Sequence, residues 1–119
     1  MKAVRFSEVG GPEVLRYEDV EQPTPGPGQV RVKVAASAFN AADAGMRGGF
    51  LPIPVVLPHV PGYDVSGTVD ALGEGSDGAG LQVGDAVIGF LPMERDGGAA
   101  EYVIAVSYTH LTLPTNREV

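Results

Sequence analysis

The sequence contains no cysteine and no tryptophan. Without cysteine the chain can form neither a disulfide framework nor a thiolate metal site. Basic residues are also scarce, because eight Lys and Arg stand against fifteen Asp and Glu, which gives a net charge of -7 at pH 7. A surface with this balance repels a phosphate backbone, so the composition argues against nucleic acid as a partner.

Long hydrophobic runs are missing as well. No stretch approaches the length of a membrane span, and Arg5 and Glu8 interrupt the N-terminal segment where a secretory signal peptide needs an apolar run. These features predict a cytoplasmic protein without a membrane partner. The chain has 119 residues, of which 44% are hydrophobic and 19% charged, as expected for one globular domain.

Glycine and proline are plentiful, at 17 and 10 residues, and they are spread along the chain without a period. They separate short segments in which apolar and charged residues alternate, as in half-buried strands. The clearest case is Val30–Val34, where valines alternate with Arg31 and Lys33. We expect strands at 1–6, 15–20, 30–34, 64–72, 86–90 and 102–106, with an extended proline-rich loop at 51–61. This pattern indicates a small antiparallel barrel or sandwich.

One short helix interrupts the strands. Asn40 can cap its first turn, and Asp43 follows three residues later, as in a capping box. The run continues to Arg47, and Gly48 and Gly49 end it.

The segment GEGSDG, residues 73–78, matches the glycine pattern of a dinucleotide-binding loop. It follows a predicted strand, but Gly80 and Gly84 disfavour the helix that must open directly after such a loop. Glu74 and Asp77 would also set carboxylates against the phosphates. We interpret the segment as a connecting turn.

Seven motifs occur in a fixed order: MKAVRF, GGPEVL, PGPGQVRVKV, FNAADAGMRGGF, LPHVPGYDVSGTV, LQVGDAVIGF and GGAAEYV. In this order they resemble the N-terminal half of medium-chain dehydrogenases and reductases, and most of all the zinc-independent quinone oxidoreductase branch. The resemblance implies that residues 1–106 form a mainly β, GroES-like, partly open β-barrel with one short helix. In these enzymes a Rossmann domain follows and binds NADPH; that domain is absent from this chain.

The last stretch, residues 107–119, does not continue the family pattern. We interpret SYTHLTLPT within it as translated adaptor sequence, with a divergent natural tail as the alternative. No packing partner is evident, and a terminal segment of this kind is expected to be disordered.

The zinc-dependent relatives within the superfamily carry metal ligands at three positions that the resemblance places at Asn40, Tyr63 and Asp64. A tetrahedral zinc site needs nitrogen and sulfur donors, which Asn and Tyr do not supply. The resemblance therefore implies a protein without zinc.

Two hydrogen-bond donors are the candidate catalytic residues. The resemblance implies that Asn40 and Tyr63 lie near the cleft where nicotinamide and substrate meet, and such donors can polarise a carbonyl as negative charge develops on it. The alternatives are a helix cap for Asn40 and a half-buried packing role for Tyr63. Asn40 and Asp43 are also candidates for contacting the cofactor, although Asp43 fits better as the partner in the cap.

Three apolar residues, Phe50, Leu51 and Phe90, are candidates to line a pocket for a planar substrate, or else to belong to the core. Gly62 is expected in a tight turn after Pro61. His59 has no acidic or Ser partner at catalytic spacing, and it is predicted to be a solvated loop residue.

The resemblance implies the N-terminal catalytic-domain fragment of an NADPH-dependent, zinc-independent oxidoreductase that reduces quinones, enones or related small-molecule carbonyls. The fragment alone is expected to be inactive, because the hydride-carrying group has no binding site on it. A stand-alone GroES-like co-chaperonin module and a zinc-type alcohol dehydrogenase fragment are the alternatives. The sequence leaves open the substrate, the choice of NADPH or NADH, and a homodimer of the full-length protein.

Overall fold

The computed structural model describes residues 1–52, 54–75, 80–106 and 111–112. Most of the regular structure in these residues is strand, and one 3-10 helix lies at Pro12–Val14. The strands and the α-helix follow in the order Lys2–Phe6 (β1), Leu15–Asp19 (β2), Gln29–Ala38 (β3), Ala41–Gly48 (α1), Asp64–Leu72 (β4), Ala86–Phe90 (β5), Tyr102–Val106 (β6) and Leu111–Thr112 (β7).

The strands form two antiparallel sheets. One consists of β1 and β2, and the other has five strands in the order β6-β3-β4-β5-β7. Single bridges from Ala3 to Ala100 and from Phe6 to His59 join β1 to segments outside its own sheet. Within the described residues neither sheet closes on itself, so the predicted mainly β, partly open architecture with one short helix is confirmed.

The core lies on the face of the large sheet where the valines point. In β3, Val30 and Val32 are wholly buried, whereas Arg31 between them points outward and pairs with Asp70 of β4 at 2.9 and 3.1 Å. Each valine that is fully buried contributes roughly 1.5–3 kcal/mol to the free energy of unfolding. The core cluster comprises Val30, Val32, Val65, Val69, Leu81, Val87, Leu91, Val103, Ala105 and Leu111.

Strand β3 is longer than its alternating pattern predicts, because it runs to Ala38 instead of ending at Val34. The extension consists of small residues that carry no alternation of apolar and charged side chains, and it pairs with the start of β4 after an irregularity between Val34 and Ala36. The added strand residues bring the chain to the beginning of α1.

Helix α1 begins and ends where its capping residues predict. The Asp43 carboxylate accepts a hydrogen bond from the backbone N–H of Asn40 at 2.7 Å, which is the reciprocal half of a capping box. Gly49 ends the helix in the left-handed conformation, with φ of 77°. Asp43 and Met46 are the buried residues of the helix.

The end of the chain differs from expectation at one point. Leu111 is buried, and β7 pairs with β5 through Gly89 and Ile88. The expectation that the segment lacks a packing partner is therefore wrong at Leu111. The remainder of 107–119 lies outside the described residues, and its foreign origin stays a prediction.

The glycine pattern at 73–78 is described only in its first half, since residues 76–79 lie outside the described residues. Glu74 and Gly75 form a turn, and the Glu74 carbonyl accepts a hydrogen bond from the N–H of Gly28 at 2.7 Å. No helix within the described ranges is long and apolar enough to cross a membrane.

Candidate functional site

Three strands of the large sheet finish side by side at one end. Asp64, the first residue of β4, lies directly between Ala38 of β3 and Phe90 of β5 in the strand pairing. Asn40 follows β3 by two residues and caps α1. We call this group, Ala38, Asn40, Asp64 and Phe90, the open sheet end.

The Asn40 side chain is exposed, and its amide nitrogen donates a hydrogen bond to Oδ2 of Asp64 at 2.7 Å. Its backbone N–H is bonded to Asp43, as described above, so main chain and side chain are held by different carboxylates. The amide nitrogen carries a second hydrogen that can donate to another acceptor. Asn40 therefore takes part in the helix cap while its side chain remains a donor, and its role toward a substrate stays a prediction.

An open cavity of about 700 Å³ lies beside these residues. Its volume is within the range of small-molecule sites, roughly 300–1,000 Å³. Most of its wall is apolar, and Ser37, Asp64 and Ser66 contribute the polar groups. The lining residues are Ala36, Ser37, Ala38, Asp64, Val65, Ser66, Ile88, Gly89, Phe90 and Leu111.

Of the three predicted pocket residues, only Phe90 lines this cavity; its side chain is 67% exposed. Phe50 and Leu51 lie at the C-terminal end of α1, where the Phe50 N–H donates to the carbonyl of Gly45. Phe50 is 85% exposed and belongs neither to the core nor to the cavity wall. Phe50 and Leu51 therefore do not share a cavity wall with Phe90.

Tyr63 does not point toward the open sheet end. It is 1% exposed, and its hydroxyl lies 2.7 Å from Nε2 of His59, which is equally buried. Successive residues of an extended chain face opposite sides, so the Tyr63 side chain enters the interior while that of Asp64 reaches the rim. The Tyr63 hydroxyl is thus not presented beside the Asn40 amide.

The prediction that His59 is a solvated loop residue is wrong. Its backbone forms a two-bond bridge with Phe6, at 2.9 and 3.0 Å, and the edge of its ring meets the Phe6 ring with centroids 5.6 Å apart. Asp96 lies on its other side, with Oδ1 3.8 Å from Nδ1. Two partners of His59, Phe6 and Asp96, come from distant parts of the chain, which is why its proline-rich neighbours did not indicate burial.

Burial also determines the charge states of this pair. It lowers the pKa of His59, an effect that the Asp96 and Asp43 carboxylates oppose. Burial raises the pKa of the Tyr63 hydroxyl well above its ordinary value, and the same two carboxylates act in the same direction. Both shifts favour a neutral tyrosine and a neutral histidine, and the tautomer of the imidazole determines which of the two donates.

Asp43 connects the helix to the loop before β4. Its side chain is wholly buried; Oδ2 accepts from the N–H of Asn40 and Oδ1 accepts from the N–H of Gly62, each at 2.7 Å. Gly62 adopts a φ of 94°, as the predicted tight turn requires. We call Asp43, His59, Gly62 and Tyr63 the polar junction.

The sequence-based interpretation considered Asp64 only as a position for a metal ligand. What it missed is the contact with Asn40, which lies 24 residues away. The alternation of a strand could have placed the Tyr63 side chain inside and that of Asp64 outside, but it could not indicate the contact with Asn40.

Comparison with known proteins matches residues 26–115 to the family described as alcohol dehydrogenase GroES-like domain. The chain belongs to this family. Quinone oxidoreductases from Lama guanicoe and Homo sapiens are 41% and 38% identical to it over 115 residues, or 96% of this chain. The chain spans about a third (34%) of the length of each of these relatives.

Solved structures show the same relationship. The quinone oxidoreductase from Coxiella burnetii superposes with a TM-score of 0.86 at 32% identity, over 98% of this chain and 37% of that one. A mycobacterial protein solved in complex with NADPH gives a TM-score of 0.82 at 35% identity, over 98% of this chain and 34% of that one. The GroES-like fold of this chain is thus shared with proteins about three times as long.

In the described ranges, the one α-helix does not offer the local structure that a dinucleotide pyrophosphate requires. Such a site combines a strand, a glycine-rich loop and a helix N-terminus with free N–H groups. Here α1 follows β3 through Phe39 and Asn40, and the Asp43 carboxylate occupies its first turn. The described residues therefore do not fit the pyrophosphate of NADPH.

The three residues at the implied zinc-ligand positions do not lie together in one site. Asn40 and Asp64 are at the open sheet end, whereas Tyr63 is in the polar junction. No cluster of three or more His, Cys, Asp or Glu suited to a metal ion occurs in the portion of the chain that the structure describes.

Proposed function

We propose that this chain is the substrate-side domain of a longer, NADPH-dependent, zinc-independent oxidoreductase that reduces quinones, enones or related carbonyl compounds. One observation carries the proposal: a domain related to quinone oxidoreductases has an apolar cavity next to an amide donor, at the open sheet end. An apolar site with few, well-placed polar groups suits a planar carbonyl compound.

The proposed role of Asn40 is to donate a hydrogen bond to the substrate oxygen. The donor becomes more effective as negative charge grows on that oxygen, and it needs no reorganisation if its amide is already held in place. Phe90 and its apolar neighbours in the cavity wall would bind the ring system and exclude water. NADPH would supply the hydride, bound mainly by residues beyond those described.

Tyr63 takes a different part in this proposal from the one first expected of it. With its hydroxyl bonded to His59 in the interior, it supports the turn that leads into β4 and so places Asp64. Asp43 supports the same turn from the helix side. Neither residue is proposed to touch substrate or cofactor.

The residue types at the implied ligand positions support a reaction without zinc, since an amide and a buried phenol are poor zinc ligands. Small-molecule carbonyls are the proposed partners, and the cytoplasm is the proposed location. A mycobacterial relative was solved in complex with NADPH, which supports NADPH as the proposed cofactor.

The test is the longer protein from the uninterrupted genomic reading frame, assayed by NADPH oxidation with a panel of quinones and enones. We expect turnover of at least one quinone, faster with NADPH than with NADH, and unaffected by a zinc chelator. The 119-residue chain, as the matched control, is expected to show none. Absence of turnover across the panel would refute the reaction class, and activity that follows bound zinc would favour an alcohol dehydrogenase of the zinc type.

A further inference from the structure

Asp64 is the charged group closest to the proposed donor, and it lies at the rim of the cavity. Its main chain is fixed on both sides, because it pairs with Ala38 on β3 and with Phe90 on β5. Its carboxylate accepts the Asn40 amide at 2.7 Å. A strand residue held between two neighbours offers a more rigid acceptor than a loop residue does.

The chemistry of this contact determines which way the Asn40 amide faces. An asparagine side chain has an oxygen and an NH₂ group of nearly the same shape, so a flip of the amide exchanges a donor for an acceptor. An ionised carboxylate can only accept, and therefore it pairs with the NH₂ group alone. The other N–H of that group is then available to a substrate.

We propose that Asp64 is a positioning residue, which holds the Asn40 amide with its NH₂ group toward the substrate. This inference rests on the proposed function, in which Asn40 donates to the carbonyl oxygen. Without the carboxylate, the amide can turn its oxygen toward the substrate oxygen and repel it, so the loss falls on kcat rather than on binding of the apolar ring.

The kinetic test uses the longer protein and the variants Asp64→Ala and Asp64→Asn. Asparagine keeps the shape but accepts or donates equally well, so it no longer selects one orientation. We expect both variants to lower kcat about tenfold and to change KM for the quinone by less than about twofold. Asp70→Ala is the matched control, because Asp70 lies on the same strand and pairs with Arg31 instead; its kcat should be unchanged.

Asp64 is proposed to act through Asn40, so its effect must depend on that residue. In an Asn40→Ala background, Asp64→Ala should lower kcat no further. A further tenfold loss in that background would overturn the proposal, as would an unchanged kcat in both single variants.

The orientation itself can be measured without turnover, by NMR of the side-chain amides of the 119-residue chain. The two Asn40 amide protons should differ widely in chemical shift in the parent chain and in Asp70→Ala, because one of them is bonded to a carboxylate. In Asp64→Ala the two shifts should converge. Unchanged Asn40 signals in that variant would refute the positioning role, whereas failure of the longer protein to reduce quinones would refute only the proposed function.

Discussion

The polar junction and the open sheet end are built from neighbouring residues, yet their polar groups are used in opposite ways. Tyr63 and Asp64 are adjacent, but the first is sealed against His59 and the second meets Asn40 at an exposed rim. In the junction every described side-chain N or O atom that is buried has a hydrogen-bond partner. At the sheet end Asp64 lines an apolar cavity instead, and its carboxylate accepts from the exposed amide of Asn40.

The difference shows that one set of polar groups stabilises the fold and another is free to bind a ligand. A buried polar group is stable only when it is paired, and pairing removes it from reach of a ligand. An exposed pair beside a cavity keeps bonding capacity for a ligand, at the cost of contributing little to stability. Mutations in the two regions should therefore separate stability from activity.

The largest effect on stability is expected for Asp43→Ala in the junction. The substitution leaves two N–H donors, those of Asn40 and Gly62, without their acceptor. We expect a loss of about 2–4 kcal/mol in the free energy of unfolding, measured by urea denaturation. The control Asp19→Ala removes a carboxylate that is 77% exposed, and it should change stability by less than about 0.5 kcal/mol. Equal effects of the two substitutions would contradict the distinction between the regions.

The largest effect on activity is expected at the sheet end, for Asn40→Ser in the longer protein. Serine is as good a helix cap as asparagine, so stability should hardly change. Its shorter side chain cannot present an amide N–H to the substrate, and we expect kcat/KM for a quinone to fall about 100-fold. Full activity with intact stability would show that Asn40 is only a cap.

A smaller effect, again on stability, is expected for Tyr63→Phe. The variant keeps the ring but leaves Nε2 of His59 without its partner, which should cost about 1–2 kcal/mol in unfolding. Quinone turnover should stay within about twofold of the parent. Tyr17→Phe, at a side chain 72% exposed, is the control and should cost almost nothing. A fall in kcat without a loss of stability would indicate that Tyr63 acts on the substrate, as first expected.

The sequence predicted most of the regular structure because its signals are local. The bounds of α1 follow from Asn40 and Gly49, and those of β4 and β5 follow from the alternation of their own residues. The polar junction is different, since His59 is buried by Phe6, Tyr63 and Asp96, which no local pattern connects. For the candidate site, the sequence indicated Asn40 and Phe90, which the structure places at the sheet end, but their shared neighbour Asp64 became evident only from the pairing of three strands.

The smallest expected effect is on the pH dependence of the free energy of unfolding. We expect it to come from the polar junction and not from the open sheet end. Burial lowers the pKa of His59, so protonation favours the unfolded chain, whose histidine has an ordinary pKa of about 6.5. The contribution of neutral His59 is therefore complete above pH of about 6.5 and is lost progressively as the pH falls toward the lower pKa of the folded state. We expect the parent to lose up to about 1.4 kcal/mol per pH unit in that window, relative to His59→Gln, whose amide can still bond to Tyr63. Denaturation of both proteins between about pH 7.5 and 5.5 measures the difference, in which the titration of the shared carboxylates cancels. Parallel stability curves would mean that His59 takes up its proton equally in the folded and the unfolded chain, which would contradict a buried neutral imidazole. A parent that gains stability relative to His59→Gln as the pH falls would mean that the junction is an ion pair with Asp96 instead.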